Sequence, residues 1–182
     1  MKILVTGSGG REHALAWRAA QSKDVECVFV APGNAGTDSD QKLVNVDLDV
    51  MDIDAQVAFA LKERIDLTII GPEAPLVAGA VEVFNSAGLR CFGPSQAAAQ
   101  LEGSKSFSKD FLARHNIPTG SYGSFDSPDE AIAYAESMDL PIVIKADGLA
   151  AGKGVVIAYE YAEAFETIKD MLSGNAFGEA GS

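Results

Sequence analysis

The sequence has 182 residues, 47% of them hydrophobic, and a formal net charge of −12. This composition is typical of a globular chain with one domain and part of another, and its acidic balance disfavours nucleic acid as a partner. The apolar run after Lys2 is too short for a signal peptide or a membrane span, so the expected location is the cytoplasm.

The first half of the chain alternates strand-like and helix-like segments. Apolar runs predict strands at residues 2–6, 26–31, 42–46, 66–70 and 89–93, and helical periodicity predicts helices at 11–21, 51–64 and 76–88. The predicted apolar face of the second helix consists of Ile53, Val57, Ala60 and Leu61. Continuous apolar strands joined by helices predict a doubly wound α/β domain with a parallel sheet.

Three glycine-containing turns follow predicted strands: GSGGRE (7–12), PGNAG (32–36) and GPEAP (71–75). Ligands of such sheets bind beyond the carboxyl ends of the strands, so one site built from all three turns is the simplest hypothesis. Arg11 stands at a predicted helix start, where backbone N–H groups already favour an anion. Glu73 or Asn34 could hold a ribose hydroxyl or an amine.

The first turn departs from the G-x-G-x-x-G fingerprint of dinucleotide-binding proteins. Gly7 and Gly9 fit its first two glycines, but Glu12 occupies the third position, and no acidic residue follows the second strand. Both departures argue against NAD. The structural alternative is a tight strand-to-helix turn with Arg11 and Glu12 on the surface.

The second half has a different character. Helices are predicted at residues 104–118, 127–138 and 162–172, and strands at 141–146 and 154–159. Ser104 is the expected N-cap of the first of these helices. Its aromatic stripe, which includes Phe107 and Phe111, is predicted to be core.

A glycine-rich loop bracketed by lysines joins the last two predicted strands. Lys145 ends the first of them, and the loop reads ADGLAAGKG (146–154). Such a loop could hold phosphate against backbone N–H groups, although its spacing is not that of a Walker A motif. An exposed, flexible hairpin is the alternative. Lys105 lies in a first helical turn, where acidic residues are normally preferred, so it is either solvated or reserved for a ligand.

The two cysteines, Cys27 and Cys91, lie in strand-like runs, and their spacing fits no metal motif. They are predicted to be buried, reduced thiols. His13 and His115 are each a lone histidine on a predicted helix, for which local packing is the expected role.

In chain order, these segments resemble the glycinamide ribonucleotide synthetases (phosphoribosylamine–glycine ligases), members of the ATP-grasp superfamily. The resemblance rests on GSGGREHALAW (7–17), APGNAG (31–36), DLTIIGPEAPLVAG (66–79), FGPS (92–95), AAQLEGSKSFSKDFLARHNIPT (98–119), PIVIKADGLAAGKGVVIA (141–158) and MLSGNAFGEAG (171–181). It implies ATP-dependent ligation of glycine to 5-phosphoribosylamine through a glycyl phosphate, in purine biosynthesis. ADP and phosphate are the other products.

The resemblance also implies a division of the chain. Residues 1–103 would form a Rossmann-like pre-ATP-grasp domain, residues 104–120 a connecting helix, and residues 121–182 a truncated α+β lid subdomain. Family enzymes are more than twice as long, so the chain is expected to be an inactive portion. The ligands of Mg²⁺ and the glycine-binding residues are expected in the missing part.

The site residues implied by the resemblance form two groups. Those expected to bind ATP are Lys105, Lys145, Gly148, Gly152, Lys153 and Gly154. Those expected to bind phosphoribosylamine are Gly9, Gly10, Arg11, Asn34, Pro72 and Glu73. The expected partners are small molecules, with neither nucleic acid nor membrane among them. A non-catalytic phosphosugar-binding module and another ATP-grasp ligase or carboxylase stay open as alternatives.

Overall fold

The computed structural model describes residues 1–148 and 154–173. The chain divides into two compact units, Met1–Ala99 and Gln100–Ser182. Gly152 and Lys153, which were predicted to bind ATP, lie outside the described residues. No helix in the described ranges combines the length and apolar character needed to span a membrane.

The first unit is a five-stranded parallel sheet with helices on both faces. The strands are β1 (Lys2–Gly7), β2 (Cys27–Pro32), β3 (Leu43–Asn45), β4 (Leu67–Ile70) and β5 (Cys91–Phe92), in the order β3-β2-β1-β4-β5. The helices are α1 (Gly10–Ala20), α2 (Ala35–Ser39), α3 (Ile53–Glu63), α4 (Glu73–Val77) and α5 (Ala80–Ser86), and α6 (Gln96–Gly103) follows. The predicted doubly wound α/β fold is confirmed.

An apolar layer covers each face of this sheet. Side chains alternate along β1, so Val5 faces the layer to which α1 contributes Ala16, while Leu4 faces the layer to which α5 contributes Phe84. The strand order reverses between β1 and β4, which is the topological switch point of the sheet. The loops that follow β1 and β4 therefore lie side by side at its carboxyl edge.

Polar side chains replace apolar ones on the buried faces of two helices. In α3 the predicted core residue Leu61 is exposed, whereas Gln56 is buried. Gln56 Nε2 donates to Asp49 O (2.8 Å) and Val50 O (2.9 Å), which satisfies the buried amide. In α1 Glu12 is buried, so the alternative that placed it on the surface is wrong.

The helix predicted at residues 76–88 is two helices. Gly79 has φ = 91°, a left-handed conformation that ends α4 and precedes α5. Glycine adopts this conformation without the steric cost that other residues incur. α4 also begins earlier than predicted, at Glu73, with Pro72 as its N-cap.

The second unit contains α7 (Lys105–Arg114), α8 (Pro128–Glu136), β6 (Ile142–Lys145), β7 (Val155–Ala158) and α9 (Tyr161–Leu172). β6 and β7 form the expected antiparallel hairpin, in which Lys145 pairs with Val155. Ile142 packs against Ala135 of α8 and Ile168 of α9. The aromatic stripe of α7 was predicted to be core. This prediction is wrong, because no residue of the helix is buried.

Both cysteines are free thiols, and each is partly rather than fully buried. Burial raises the pKa of the Cys27 thiol, and it raises the pKa of the Cys91 thiol to about 11. Both thiols are therefore protonated, and weakly nucleophilic, at neutral pH.

Candidate functional site

The three glycine turns lie together at the carboxyl edge of the sheet. They connect β1 to α1, β2 to α2 and β4 to α4. Backbone hydrogen bonds join them near the strand ends: Gly33 N donates to Gly7 O (3.1 Å), and Gly71 N donates to Thr6 O (3.1 Å). The residues brought to this edge include the whole predicted phosphoribosylamine group: Gly9, Gly10, Arg11, Asn34, Pro72 and Glu73.

An ion pair connects the first turn to the third. Arg11 Nη2 lies 3.0 Å from Glu73 Oε1, with the two side chains 75% and 35% exposed. The pKa of the Glu73 carboxyl is lowered, first by a hydrogen bond from its own backbone N–H and further by Arg11, against the opposing effect of burial. A guanidinium and a carboxylate thus face solvent on adjacent loops. This pairing can bind an anionic group and a hydroxyl or amine of one ligand.

Asn34 connects the second turn to the first. Its Oδ1 accepts from Gly36 N (2.7 Å) and Thr37 N (3.1 Å), so the side chain caps α2. Its Nδ2 donates to Ser8 O (2.9 Å). The structure therefore gives Asn34 an architectural role in holding two turns together. The sequence NAGT (34–37) carried this signal as a capping pattern, which the sequence analysis missed.

In the second unit, Lys105 contacts the start of the glycine-rich loop. Lys105 Nζ donates to Asp147 O (3.1 Å) and Gly148 O (2.9 Å). The Asp147 carboxylate accepts from Ser106 N (2.6 Å) and from the Ser104 hydroxyl (2.9 Å). These contacts fix the end of β6 against the N-terminus of α7. Asp147 has a place in the site that the sequence analysis did not assign.

The Asp147 carboxyl is held in its charged form. Burial by itself would raise its pKa, but hydrogen bonds from Ser106 and Ser104, together with the Lys105 charge, outweigh burial and lower the pKa. Asp147 is therefore an anion beside the Lys105 ammonium at neutral pH.

The outer face of the β6–β7 hairpin presents an apolar surface next to a lysine. Val143, Val155 and Ile157 are 50%, 44% and 49% exposed, and the side chain of Lys145 is exposed on the same face. The hairpin continues into the loop through a bond from Ala146 N to Gly154 O (2.9 Å). An exposed apolar strip that ends in an ammonium group suits a flat, uncharged ring system attached to phosphates.

Magnesium beside a nucleotide is usually bound by one or two carboxylates together with phosphate oxygens and water, whereas a metal centre held by protein alone needs more side-chain ligands. Across residues 1–148 and 154–173, no three His, Cys, Asp or Glu side chains come close enough together to hold a metal ion. The described residues therefore contain no metal centre built from three or more such side chains.

Residues 1–102 match the family described as "Phosphoribosylglycinamide synthetase, N domain", and residues 103–182 match "Phosphoribosylglycinamide synthetase, ATP-grasp (A) domain". The chain belongs to the phosphoribosylglycinamide synthetase family. The resemblance predicted from the sequence is confirmed.

Two relatives illustrate how close this family membership is. The chain is 63% identical over 182 residues to a phosphoribosylamine–glycine ligase of Vibrio parahaemolyticus, and 62% identical over 181 residues to one of Escherichia coli. In each case the match covers 100% of this chain and 42% of the relative. The chain therefore spans less than half the length of these synthetases.

Solved structures carry the same fold. The phosphoribosylamine–glycine ligase of Thermotoga maritima superposes with a TM-score of 0.77 at 30% identity, covering 98% of this chain and 41% of that one. The biotin carboxylase domain of Hydrogenobacter thermophilus 2-oxoglutarate carboxylase superposes with a TM-score of 0.76 at 20% identity, covering 98% and 42%. The second comparison bears on fold alone.

Proposed function

We propose that this chain supplies the phosphoribosylamine-binding and ATP-phosphate-binding parts of a phosphoribosylamine–glycine ligase. The single observation that carries the proposal is the 63% identity, along the whole chain, to an enzyme of that name. The clustering of the three predicted turns at the switch point supports it, because ligands of doubly wound sheets bind there.

The proposed reaction joins an amine to a carboxylate at the expense of ATP. The glycine carboxylate attacks the γ-phosphorus of ATP, which forms glycyl phosphate and releases ADP. The amine of phosphoribosylamine then attacks the acyl carbon, loses a proton and expels phosphate, which forms the amide bond. Such chemistry depends on positioning and on neutralising phosphate charge more than on a protein nucleophile.

In this proposal the first unit holds phosphoribosylamine. The Arg11 guanidinium binds the phosphate dianion in a charge-assisted contact, helped by the backbone N–H group of Gly10 at the start of α1. Gly9, whose N–H donates to Glu12, shapes the turn beside it. The Glu73 carboxylate accepts from a ribose hydroxyl or from the amine. Asn34 and Pro72 shape the neighbouring turns.

The second unit would contact ATP. Lys145 reaches the phosphates, and the exposed apolar strip of the hairpin contacts the base. Lys105, Gly148 and Gly154 line the start and end of the loop beside them. We place the ligands of Mg²⁺ outside the described residues. We also propose that residues 1–103, 104–120 and 121–182 form the pre-ATP-grasp domain, connecting helix and lid subdomain, and that the enzyme is cytoplasmic.

Two substitutions test the assignment of each substrate to its unit. They are made in a chain extended to the full length of its relatives, here called the extended chain. Lys145→Ala should lower turnover at least about a hundredfold, because a lost charge contact in the transition state costs a few kcal/mol. Lys169→Ala, which removes an exposed lysine from α9, is the matched control. The turnover of Lys145→Ala and of its control is measured from initial rates of ADP release. Unchanged turnover in Lys145→Ala would contradict the assignment of ATP to the second unit.

Arg11→Ala should act on the other substrate. The KM for phosphoribosylamine should rise about tenfold or more, because a charge-assisted contact to phosphate is lost, while the KM for ATP stays within about twofold. Arg18→Ala, farther along α1, serves as the control. Equal increases in both KM values would argue against a phosphosugar site at the switch point.

A non-catalytic phosphosugar-binding module is the second candidate for the 182-residue chain by itself. The observations that favour it are that the described residues bring the three turns together and that the chain spans 42% of the length of its relatives. Ribose 5-phosphate should then raise the melting temperature of the chain while ATP with Mg²⁺ leaves it unchanged. An equal shift with ATP and Mg²⁺ would contradict this candidate.

A further inference from the structure

Glu12 is a buried carboxylate at the switch point, and the proposed chemistry assigns it no role. Glu12 is only 5% exposed, and it lies in the first turn of α1. Burying an ionisable side chain costs free energy unless partners compensate. Its presence there therefore needs an explanation beyond packing.

The Glu12 side chain contacts both turns of the proposed phosphoribosylamine site. Its Oε2 accepts from Gly9 N (2.8 Å), the N-cap of α1. A Cβ placed on Gly71, at the end of β4, would lie 2.3 Å from Glu12 Cγ and 2.7 Å from Oε1. A Cβ on Gly7 would lie 2.3 Å from Glu12 Cγ. The carboxylate thus fills the space that the glycines after β1 and β4 leave open.

The second carboxylate oxygen makes this arrangement unusual. Glu12 Oε1 is buried and has no hydrogen-bond partner among the described residues. Buried polar atoms without partners are rare in folded proteins, and each one calls for an explanation. A residue selected only for packing at this position would be apolar.

We propose that Glu12 is a positioning residue that sets the spacing between the β1–α1 and β4–α4 turns, and thereby between Arg11 and Glu73. This inference rests on the proposed function. Arg11 is the neighbour of Glu12 in sequence, and Glu73 lies two residues after Gly71, so the two ligand-facing groups belong to the two turns that Glu12 contacts. Glu12 itself touches no substrate.

The buried Glu12 side chain also explains why the first turn is not a dinucleotide site. In that fingerprint, small residues let the ligand backbone approach the turn closely. Here a Cβ on Gly9 would lie 2.7 Å from Glu12 Oε2, so a carboxylate already occupies that side of the turn.

Three variants of the extended chain separate this role from simple stabilisation. Glu12→Ala removes the side chain beyond Cβ, Glu12→Asp shortens it by one methylene group, and Glu12→Gln keeps its length without a carboxylate. The side-chain oxygen of glutamine can accept the bond from Gly9 N that Glu12 Oε2 accepts. Glu26→Ala, at an exposed carboxylate of the same unit, is the control.

The measurement is the KM for phosphoribosylamine and the KM for ATP of each variant, after circular dichroism has shown that it is folded. We expect Glu12→Ala and Glu12→Asp to raise the KM for phosphoribosylamine about tenfold, since misplaced binding groups lose such factors readily, and Glu12→Gln to stay within about threefold of the unsubstituted chain. The KM for ATP should change less than about twofold throughout.

The inference is overturned if Glu12→Asp matches the unsubstituted chain, if Glu12→Gln is as impaired as Glu12→Asp, or if both KM values rise together. If Glu12→Ala does not fold, the KM values for phosphoribosylamine of Glu12→Asp and Glu12→Gln are sufficient to test the inference. An unsubstituted extended chain that shows no phosphoribosylamine-dependent ADP release refutes the proposed function itself, and that result is distinct from all of the above.

Discussion

Asp147 joins the end of β6 to the beginning of α7. Its carboxylate accepts one bond from a backbone N–H and one from a hydroxyl, and its carbonyl oxygen accepts one from Lys105 Nζ. Hydrogen bonds to a charged group contribute more to stability than neutral ones. We therefore expect a single side chain to carry a measurable share of the stability of the second unit.

Asp147→Ala should lower the free energy of unfolding by about 1–2 kcal/mol, because it removes two hydrogen bonds to a carboxylate. Asp139→Ala, at an exposed carboxylate of the same unit, should change it by less than about 0.5 kcal/mol. Urea unfolding followed by tyrosine near-ultraviolet circular dichroism is a suitable probe, since all 4 tyrosines lie between residues 122 and 161. Identical midpoints for the two variants would contradict this role.

The contribution of Asp147 should also depend on pH. Its pKa is lowered in the folded protein from an ordinary value of 3.8, so the stabilisation is complete above that value and disappears as the pH falls through the lower, folded pKa. The difference in stability between the unsubstituted chain and Asp147→Ala should therefore be constant from pH 7 to about 5 and shrink below about 4. A difference that grows on acidification would exclude this explanation.

At the level of elements, the break between α4 and α5 depends on one glycine. Gly79→Ala should cost about 1–2 kcal/mol, since a β-carbon is strained at φ = 91°. Gly79→Asn should cost less, because asparagine tolerates left-handed backbone better. The chain has a single tryptophan, Trp17, and it lies in the first unit, so its fluorescence follows unfolding there. Equal losses of stability in both variants would show that side-chain space, and not backbone conformation, sets the cost.

The comparison of sequence with structure is also instructive at this level. Strong apolar runs such as KILVT predicted β1 well, because a strand buried on both faces needs continuous hydrophobicity. Helical periodicity failed where a polar residue is buried with its own partners, as Gln56 is in α3. It failed again at Gly79, since backbone conformation does not appear in a hydrophobic pattern. The short helix α2 was not predicted, because its first residues were assigned to a glycine-containing turn, although Asn34 is a recognisable N-cap.

The candidate site was predictable only in part. The rule that ligands bind at the carboxyl ends of parallel strands was enough to group the three turns, and the structure brings them together. The buried position of Glu12 could not be predicted, because it depends on the glycines of two turns far apart in sequence. The same holds for Asp147, whose partners lie about 40 residues away at the N-terminus of α7.

At the scale of the whole molecule, the chain contains two units with separate proposed tasks. The first presents an arginine and a glutamate at the switch point of a parallel sheet, and the second presents lysines beside a glycine-rich loop. The chain matches its synthetase relatives from end to end but spans 42% of their length. The central claim is that these two units bind the phosphosugar and the nucleotide of one ligation reaction.

The release of ADP that depends on both glycine and phosphoribosylamine tests this claim most directly. It should be measured on the 182-residue chain and on the extended chain under the same conditions. We predict activity in the extended chain that requires both substrates, and none in the shorter one, because the shorter chain spans only 42% of the length of its relatives. Activity in neither would contradict the ligase assignment, and activity in the shorter chain would contradict the division of labour proposed above.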